Sequence, residues 1–186
     1  MKRQDDEMLF ERLLEGEGDK ALRPLMERYG DALTLYANGY VHDIHAAEDL
    51  MIEAFSRMLV KRPRLREGGF KPYLFKTARN LALRHLSLRG RFMSMDDLDS
   101  EPASVEQVES GLLTDERHRA LYRCLAKIPA DYREALYLVY LEDMSYDEAG
   151  AIMHKTRKQV DNLVQRGKRS MRELLGDEDV FKEPSA

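Results

Sequence analysis

Two helix-start signals near the C-terminal end of the chain constrain its fold more than any other feature. Ser145 with Glu148, and Thr156 with Gln159, each have the spacing of a capping box. In that motif the first side chain accepts a hydrogen bond from the backbone N–H three residues later, and the later side chain reaches back to the first backbone N–H. Residues 153–155 leave room only for a tight turn between the two helices. The spacing therefore predicts a short and a longer helix packed at a steep angle, which is a helix-turn-helix.

The longer helix, predicted to end near Leu175, has two different faces. Its apolar residues recur at helical spacing and predict one buried stripe, made of Val160, Leu163, Val164, Gly167, Met171, Leu174 and Leu175. The other face combines cations, which bind phosphates, with Asn, Gln and Arg side chains, which can read base edges. Its members are Arg157, Lys158, Asp161, Asn162, Gln165, Arg166, Lys168, Arg169 and Arg172. A solvated basic face without a partner is the alternative, but the turn and both caps favour contact with DNA.

The charge of the chain is distributed in blocks. The chain has 186 residues, enough for one medium or two small domains, and its net charge of −4 would ordinarily argue against nucleic acid. Residues 57–91, however, contain eleven Lys or Arg and one acid, whereas residues 94–116 contain eight acids and no Lys or Arg. Basic and acidic surfaces are therefore predicted to be separate.

The single cysteine and the absence of long apolar runs indicate the cellular compartment in which the protein is expected. Cys124 has no partner for an intramolecular disulfide, and its apolar neighbours predict a small buried hydrophobe. No signal-peptide core and no run of membrane-spanning length is present in the sequence. We expect a soluble, cytoplasmic protein that does not insert into a membrane.

Helical periodicity divides the first half of the chain into four segments. They cover about 3–16, 19–40, 45–60 and 70–90. Asp19 is placed to cap the second segment, and Leu86 falls on the predicted core face of the fourth.

Residues 92–113 lose this periodicity and predict an acidic, flexible linker. Helices are predicted again over 114–128 and 131–141, before the helix-turn-helix, and 176–186 form an acidic tail. The predicted fold class is all-α: two small helical domains, 1–91 and 114–175, joined by the linker, with the second ending in the helix-turn-helix.

Motifs in both halves resemble those of a known family. Asp43, residues 47–50 and residues 53–55 are similar to the core-binding segment of bacterial RNA polymerase sigma factors of the two-domain, extracytoplasmic-function (ECF) group. Residues 69–80, GFKPYLFKTARN, resemble the segment that melts and holds the minus-ten promoter element.

The second half supports the same resemblance. Ile128–Pro129, residues 132–135 and residues 144–153 are similar to the second domain's helices and to the start of its minus-thirty-five reader. The resemblance implies a promoter-specificity subunit whose partners are core RNA polymerase and promoter DNA, with an anti-sigma protein as a possible further partner. The acidic linker has a family counterpart that passes through the polymerase active-site region; a solubilising tether is the alternative.

The resemblance also implies two sets of site residues. An acidic patch suited to core polymerase consists of Asp43, Glu48, Asp49 and Glu53, although an ordinary solvated helix face would look alike. DNA contacts in the first domain are expected from Tyr73, Lys76, Arg79, Asn80 and Arg84. Those in the second domain are expected from Arg157, Lys158, Asn162, Gln165, Arg166, Lys168 and Arg169.

Three residues of the fourth segment have alternatives. Phe70 and Tyr73 offer stacking surfaces for bases but also lie at core spacing. Asn80, at a predicted bend before Leu81, resembles the position that captures a flipped base, and a helix cap is its alternative role.

Catalysis is not predicted. His42 with Asp43 lacks an earlier His that would complete a metal-dependent hydrolase site, and Asp49 with Glu53 has no facing ligand set, so no metal or cofactor is expected. The sequence contains neither a Gly-rich phosphate loop nor a Ser–His–Asp set. A stand-alone helix-turn-helix regulator that does not join polymerase remains the main alternative, and a protein-interaction adaptor is a third.

Overall fold

The computed structural model describes residues 4–92 and 116–175, which form two compact units of helices and turns without strands. The predicted all-α fold class, with a helix-turn-helix at the end of the second unit, is confirmed in these two ranges. Most of the predicted linker, from residue 93, and the predicted tail at 176–186 lie outside the described residues.

The first unit is a four-helix arrangement built around its second helix. Its elements are α1 (Gln4–Arg12), which continues as a π-helical turn (Leu13–Glu17) kinked at Gly16, α2 (Asp19–Val41), α3 (Ile44–Lys61) and α4 (Phe70–Phe92). Helix α2 packs against the other three, and both α1 and α3 also contact α4. The largest fully buried side chains of this core are Leu25, Leu33, Met58, Phe70, Leu74 and Phe75.

The boundary between α1 and α2 differs from the prediction. Gly18, not Asp19, occupies the N-cap position of α2, and no side chain caps that position. The prediction that Asp19 caps α2 was therefore wrong. Gly18 adopts a φ of 53°, a conformation that glycine tolerates, so the helix begins one residue earlier and Asp19 lies in its first turn. A negative side chain there still interacts favourably with the helix dipole.

Helix α4 runs unbroken through Asn80 to Phe92. The predicted bend before Leu81 and the cap role of Asn80 were wrong, because Asn80 is an exposed residue in the interior of the helix. Leu86 was predicted to be in the core but is 36% exposed. Ala82 is the last buried residue of α4 before residue 91, and residues 83–90 are exposed or half-buried, so this part of the helix extends beyond the core.

The second unit is organised around its last helix. Its elements are α5 (Glu116–Ala126), α6 (Ala130–Leu136), which continues as a π-helical turn (Tyr137–Leu141), α7 (Tyr146–Met153) and α8 (Arg157–Leu175). Helix α8 contacts α5, α6 and α7. Gly167 permits the close approach of α6 and α8, because a Cβ at this position would lie 2.9 Å from Leu136 Cδ1.

Two burial predictions for this unit were wrong. Leu174 is 45% exposed, because the buried stripe of α8 is narrower than predicted and consists of Val160, Val164, Gly167 and Met171. Leu174 lies roughly 50° around the helix axis from the centre of that stripe. Cys124 is a free, half-buried thiol and not a fully buried one.

None of the helices in the two described ranges is long and apolar enough to cross a membrane.

Candidate nucleic-acid interface

Both predicted capping boxes of the helix-turn-helix are present. Ser145 Oγ accepts a hydrogen bond from the Glu148 N–H at 3.2 Å, and the Ser145 N–H donates to Glu148 Oε2 at 2.8 Å. Thr156 Oγ1 accepts from the Gln159 N–H at 3.3 Å, and the Thr156 N–H donates to Gln159 Oε1 at 2.8 Å. Each box satisfies backbone donors that a helix start leaves unpaired, so the first turns of α7 and α8 are fixed locally.

The turn between the two helices is equally well defined. His154 ends α7 in the left-handed conformation, with a φ of 55°. The N–H of Lys155 then donates to the carbonyl oxygen of Gly150 at 2.9 Å. The turn therefore closes with its own backbone hydrogen bonds.

Helix α8 presents its polar face to solvent. Val160 and Val164 are fully buried on one side, and the exposed residues include Arg157, Lys158, Asp161, Asn162, Gln165, Arg166, Arg169 and Arg172. At 100° per residue, Asn162, Gln165 and Arg166 project from the side opposite to the two valines. This face can donate to phosphates and can form bidentate contacts with base edges.

Arg157, Arg169 and Lys168 on α8 each contact another side chain of the same unit. Arg157 Nη1 lies 3.1 Å from Asp147 Oδ2 across the turn, and Arg169 Nε lies 3.7 Å from Glu173 Oε1. Lys168 is half-buried, with its ammonium 4.8 Å from the centre of the Tyr140 ring. Lys168 is thus less accessible to solvent than Lys158, which is exposed.

Four of the five predicted DNA-contacting residues of α4 share one strip. Tyr73, Lys76, Asn80 and Arg84 follow one another at intervals of three and four residues, and each is half-buried or exposed. Arg79, also half-buried, lies roughly 100° around the helix axis from this strip. The strip combines an aromatic ring, an amide and two cations.

Phe70 is not part of that surface. It is fully buried, and its ring centre lies 5.5 Å from that of Phe10 and 5.7 Å from that of Tyr29. Of the two aromatic residues that the sequence left open, Phe70 is therefore a core residue, whereas Tyr73 is partly accessible.

The predicted acidic patch lies along the outer side of α3. Asp43 is the N-cap of this helix, and its Oδ1 accepts from the backbone N–H groups of His45 and Ala46 at 3.0 and 3.1 Å. Glu48, Asp49 and Glu53 are exposed, and Glu53 also pairs with Arg57 at 2.7 Å. The structure thus gives Asp43 a capping function and leaves the other three acids on the surface.

Sequence reasoning missed two apolar residues on this same side of α3. Ile52 is 53% exposed and Val60 is 83% exposed. They lie eight residues apart, two turns along the helix, and outside the inward stripe of α3. Their position outside the inward stripe is the sequence signal from which their exposure could have been predicted.

Within 4–92 and 116–175, no group of three His, Cys, Asp or Glu side chains is arranged to hold a metal ion. Asp49 and Glu53 are both exposed on α3.

Comparison with known proteins identifies both units. Residues 25–92 match the family model for sigma-70 region 2, and residues 118–171 match the model for sigma-70 region 4. The first match contains α3 and α4, and the second contains α7, the turn and α8 as far as Met171.

Two curated relatives align over most of their length. The RNA polymerase sigma-H factor of Pseudomonas aeruginosa is 27% identical over 164 residues, covering 82% of this chain and 84% of the relative. The ECF RNA polymerase sigma-E factor of Escherichia coli K12 is 28% identical over 184 residues, covering 86% of this chain and 94% of the relative.

A solved structure has the same fold. The sigma factor RpoE of Bartonella quintana, solved in complex with the anti-sigma factor NepR, superimposes with a TM-score of 0.69 at 24% identity, covering 86% of this chain and 99% of that one.

An all-α protein with sigma-70 regions 2 and 4 in this order belongs to the sigma-70 family, and this chain is an ECF-type sigma factor. It is therefore a sigma subunit, which directs promoter recognition by RNA polymerase.

Proposed function

We propose that the exposed face of α8 reads the minus-thirty-five promoter element and that Asn162, Gln165 and Arg166 are its base-reading residues. The observation that carries this assignment is their position opposite to the buried Val160 and Val164. Two capping boxes and a closed turn fix the start of the helix, and the N-terminal part of a recognition helix contacts base edges in the major groove. Lys158, Lys168, Arg157 and Arg169 supply phosphate contacts around that centre.

The strip on α4 is proposed to hold the minus-ten element. Tyr73 has a partly accessible ring on which an unpaired base can stack, and stacking tolerates any base. Lys76 and Arg84, with Arg79 at the side, bind the backbone of the same strand. Asn80, exposed at the centre of the strip, has an amide that can pair with a base edge.

The outer side of α3 is proposed to bind core polymerase. Glu48, Asp49 and Glu53 give this side negative charge, and Ile52 and Val60 add exposed apolar surface among them. Apolar residues surrounded by charge are typical of a protein–protein contact. Asp43 contributes to this contact indirectly, because it caps α3 and so fixes the start of the helix that carries the acidic patch.

Core binding can be tested with a matched pair of charge reversals. Asp49→Lys is expected to weaken the affinity of the full chain for core polymerase roughly five- to thirtyfold, which corresponds to about 1–2 kcal/mol. Asp31→Lys makes the same change on an exposed acid of α2 and serves as the control. Equal losses in both variants, or no loss in either, would contradict the assignment of α3.

An anti-sigma protein is proposed as a further partner. The Bartonella quintana sigma factor was solved with the anti-sigma factor NepR, and a second similar structure, of CnrH, contains the cytosolic domain of CnrY. Co-purification of the chain from its own host, followed by mass spectrometry, tests this proposal. Recovery of core polymerase as its sole specific partner would count against it.

The remaining assignments follow from the family and from the sequence. We propose that the chain binds and positions partners without catalysing a reaction, and that it acts in the cytoplasm, where promoter DNA and polymerase are found. Domain limits of 1–91 and 114–175, with a flexible acidic joint between them, stay predictions from sequence. Limited proteolysis of the full chain tests them, with first cleavage expected between residues 92 and 113.

A further inference from the structure

Helix α1 precedes the part of the chain that matches sigma-70 region 2, which begins at residue 25. It nevertheless contacts both α2 and α4. Asp6 is buried and binds the side chains of Arg28 and Tyr29 on α2. Burial and the hydrogen bond to Asp6 raise the pKa of Tyr29 well above its ordinary value. This contact fixes the position of the neighbouring residue, Glu7, beside α4.

Glu7 accepts a hydrogen bond from the first residue of α4. The Phe70 N–H donates to Glu7 Oε1 at 2.8 Å, across 63 positions of sequence. Glu7 Oε2 is buried and has no hydrogen-bond partner among the described residues. A carboxylate at a helix N-terminus satisfies a free N–H and interacts favourably with the helix dipole. Glu7 therefore acts as a cap that is supplied by another helix.

The local sequence explains why the cap must come from elsewhere. The residue before Phe70 is Gly69, whose N–H donates to the carbonyl oxygen of Arg66 at 2.8 Å. A Cβ at Gly69 would lie 2.8 Å from that same oxygen, so Ser, Thr, Asp or Asn cannot be placed there without moving the loop. The tight end of the loop thus excludes a local capping side chain.

A second contact joins the N-terminal segment to the start of the same loop. Arg62, which ends α3 with a φ of 45°, donates through Nη2 to the carbonyl oxygen of Leu14 at 3.3 Å. The loop between α3 and α4 carries Arg62, Arg64 and Arg66. Both of its ends are therefore bound by the segment that contains α1 and its π-helical turn.

We propose that Glu7 is a positioning residue for promoter melting, acting by ordering the first turn of α4. The Tyr73 N–H donates to the Gly69 carbonyl oxygen at 3.1 Å, so the stacking ring of Tyr73 is placed only when that turn is formed. A binding surface that is ordered only part of the time loses affinity in proportion to its ordered fraction. This inference rests on the proposed binding of the minus-ten strand by α4.

Hydrogen exchange tests the cap without any assay of activity. In the full chain, Glu7→Ala should speed exchange of the backbone N–H groups of residues 70, 71 and 73–75 by about 2- to 30-fold, the range that loss of a helix cap gives in an equilibrium constant. Glu7→Gln keeps an oxygen acceptor and should stay near the wild-type rate. Glu11→Ala removes an exposed acid from the same helix and is the matched control. Equal rates in Glu7→Ala and Glu11→Ala would overturn the proposal.

Open-complex formation with core polymerase tests the consequence for melting. Glu7→Ala should lower the open-complex yield on duplex promoter, at most by the factor seen in hydrogen exchange, with rescue by Glu7→Gln and unchanged affinity for core polymerase. An equal loss of core affinity would show that Glu7 serves general stability only, and this also overturns the proposal. Tyr73→Ala separates a failure of this inference about Glu7 from a failure of the proposed function of α4. If Tyr73→Ala impairs melting and Glu7→Ala does not, this inference alone fails; if Tyr73→Ala has no effect, the proposed function of α4 fails.

Discussion

Gly150 of α7 lies so close to the carbonyl oxygen of Lys155 that a side chain does not fit between them. A Cβ at Gly150 would be 2.6 Å from that oxygen, far inside van der Waals contact. The same pair is joined by the hydrogen bond from the Lys155 N–H to the Gly150 carbonyl. The approach of these two residues sets how tightly the chain turns between α7 and α8. It therefore controls the placement of the recognition helix.

We expect Gly150→Ala to destabilise the second unit by about 1–3 kcal/mol, because the backbone must shift to relieve the overlap. Gly90→Ala is the control, since a Cβ there meets nothing within 4 Å and alanine favours a helix more than glycine does. Urea unfolding followed by circular dichroism measures both. A Gly150→Ala variant as stable as the wild type would show that the turn is not as tightly constrained as described.

Arg166→Ala is expected to weaken binding to the preferred minus-thirty-five site by about 1–3 kcal/mol and to relax the preference at one base position. Its side chain is exposed and projects away from the buried Val160 and Val164. Gln165→Ala should act in the same way at a neighbouring base. Holoenzyme affinities on a panel of single-base promoter variants provide the measurement. Unchanged base preferences in both variants would mean that other residues read the element.

Lys158→Ala is expected to weaken binding to all sequences alike, because an exposed ammonium contacts phosphate and carries no base information. The slope of log affinity against log salt should become shallower by about one. Lys168→Ala should show a smaller salt effect, since the Lys168 ammonium already lies over the Tyr140 ring. A Lys168→Ala slope change as large as that of Lys158→Ala would contradict this ranking.

Tyr73→Ala should impair melting at the minus-ten element, whereas Tyr73→Phe should retain most of it. Stacking of a base on an aromatic side chain contributes about 1–3 kcal/mol, and phenylalanine keeps the ring. Permanganate reactivity of promoter thymines in the holoenzyme complex reports the melted state. If Tyr73→Phe is as defective as Tyr73→Ala, the hydroxyl rather than the ring is the important group.

Stability of the second unit should fall in alkaline solution. The hydroxyls of Tyr122 and Tyr137 lie 3.5 Å apart, and burial raises the pKa of Tyr122 to about 12 and that of Tyr137 well above its ordinary value. In the unfolded chain both groups ionise near pH 10. The stabilisation from keeping them protonated is therefore complete below about pH 10 and is lost as pH rises toward the folded-state values.

For Tyr122 the expected loss is roughly 2–3 kcal/mol once the pH has passed its folded-state pKa. Urea unfolding midpoints at about pH 8 to pH 11 follow the start of this decline. Tyr122→Phe keeps the ring but removes the titrating group, so its midpoint should fall less steeply over the same range. Identical pH profiles for the wild type and the variant would show that Tyr122 does not contribute.

Local signals in the sequence were sufficient to predict the helix-turn-helix. The pairs Ser145–Glu148 and Thr156–Gln159 interact within one turn, so their spacing alone determines their geometry. The buried stripe of α8 was predicted too wide, because periodicity identifies the centre of a buried face better than its edges. Leu174 at one such edge is exposed for that reason.

Contacts between distant segments could not be predicted in this way. The cap on Phe70 comes from Glu7, on a different helix, and no local pattern near either residue indicates the pairing. The prediction of a bend at Asn80 was wrong. Helix α4 packs against α1, α2 and α3 and continues through Asn80 as one helix. The exposure of Ile52 and Val60 was not predicted, because the periodicity of α3 was used only to identify its buried side.

Transcription in vitro with purified core polymerase and the full chain tests whether this protein is a promoter-reading sigma subunit. We expect promoter-specific initiation that requires the chain, responds to changes in both promoter elements, and is lost in an Asn162, Gln165 and Arg166 triple alanine variant that still binds core. Sequence-specific binding to duplex DNA by the chain alone, with no stimulation of core polymerase on any promoter of its host, would contradict it and favour a stand-alone regulator.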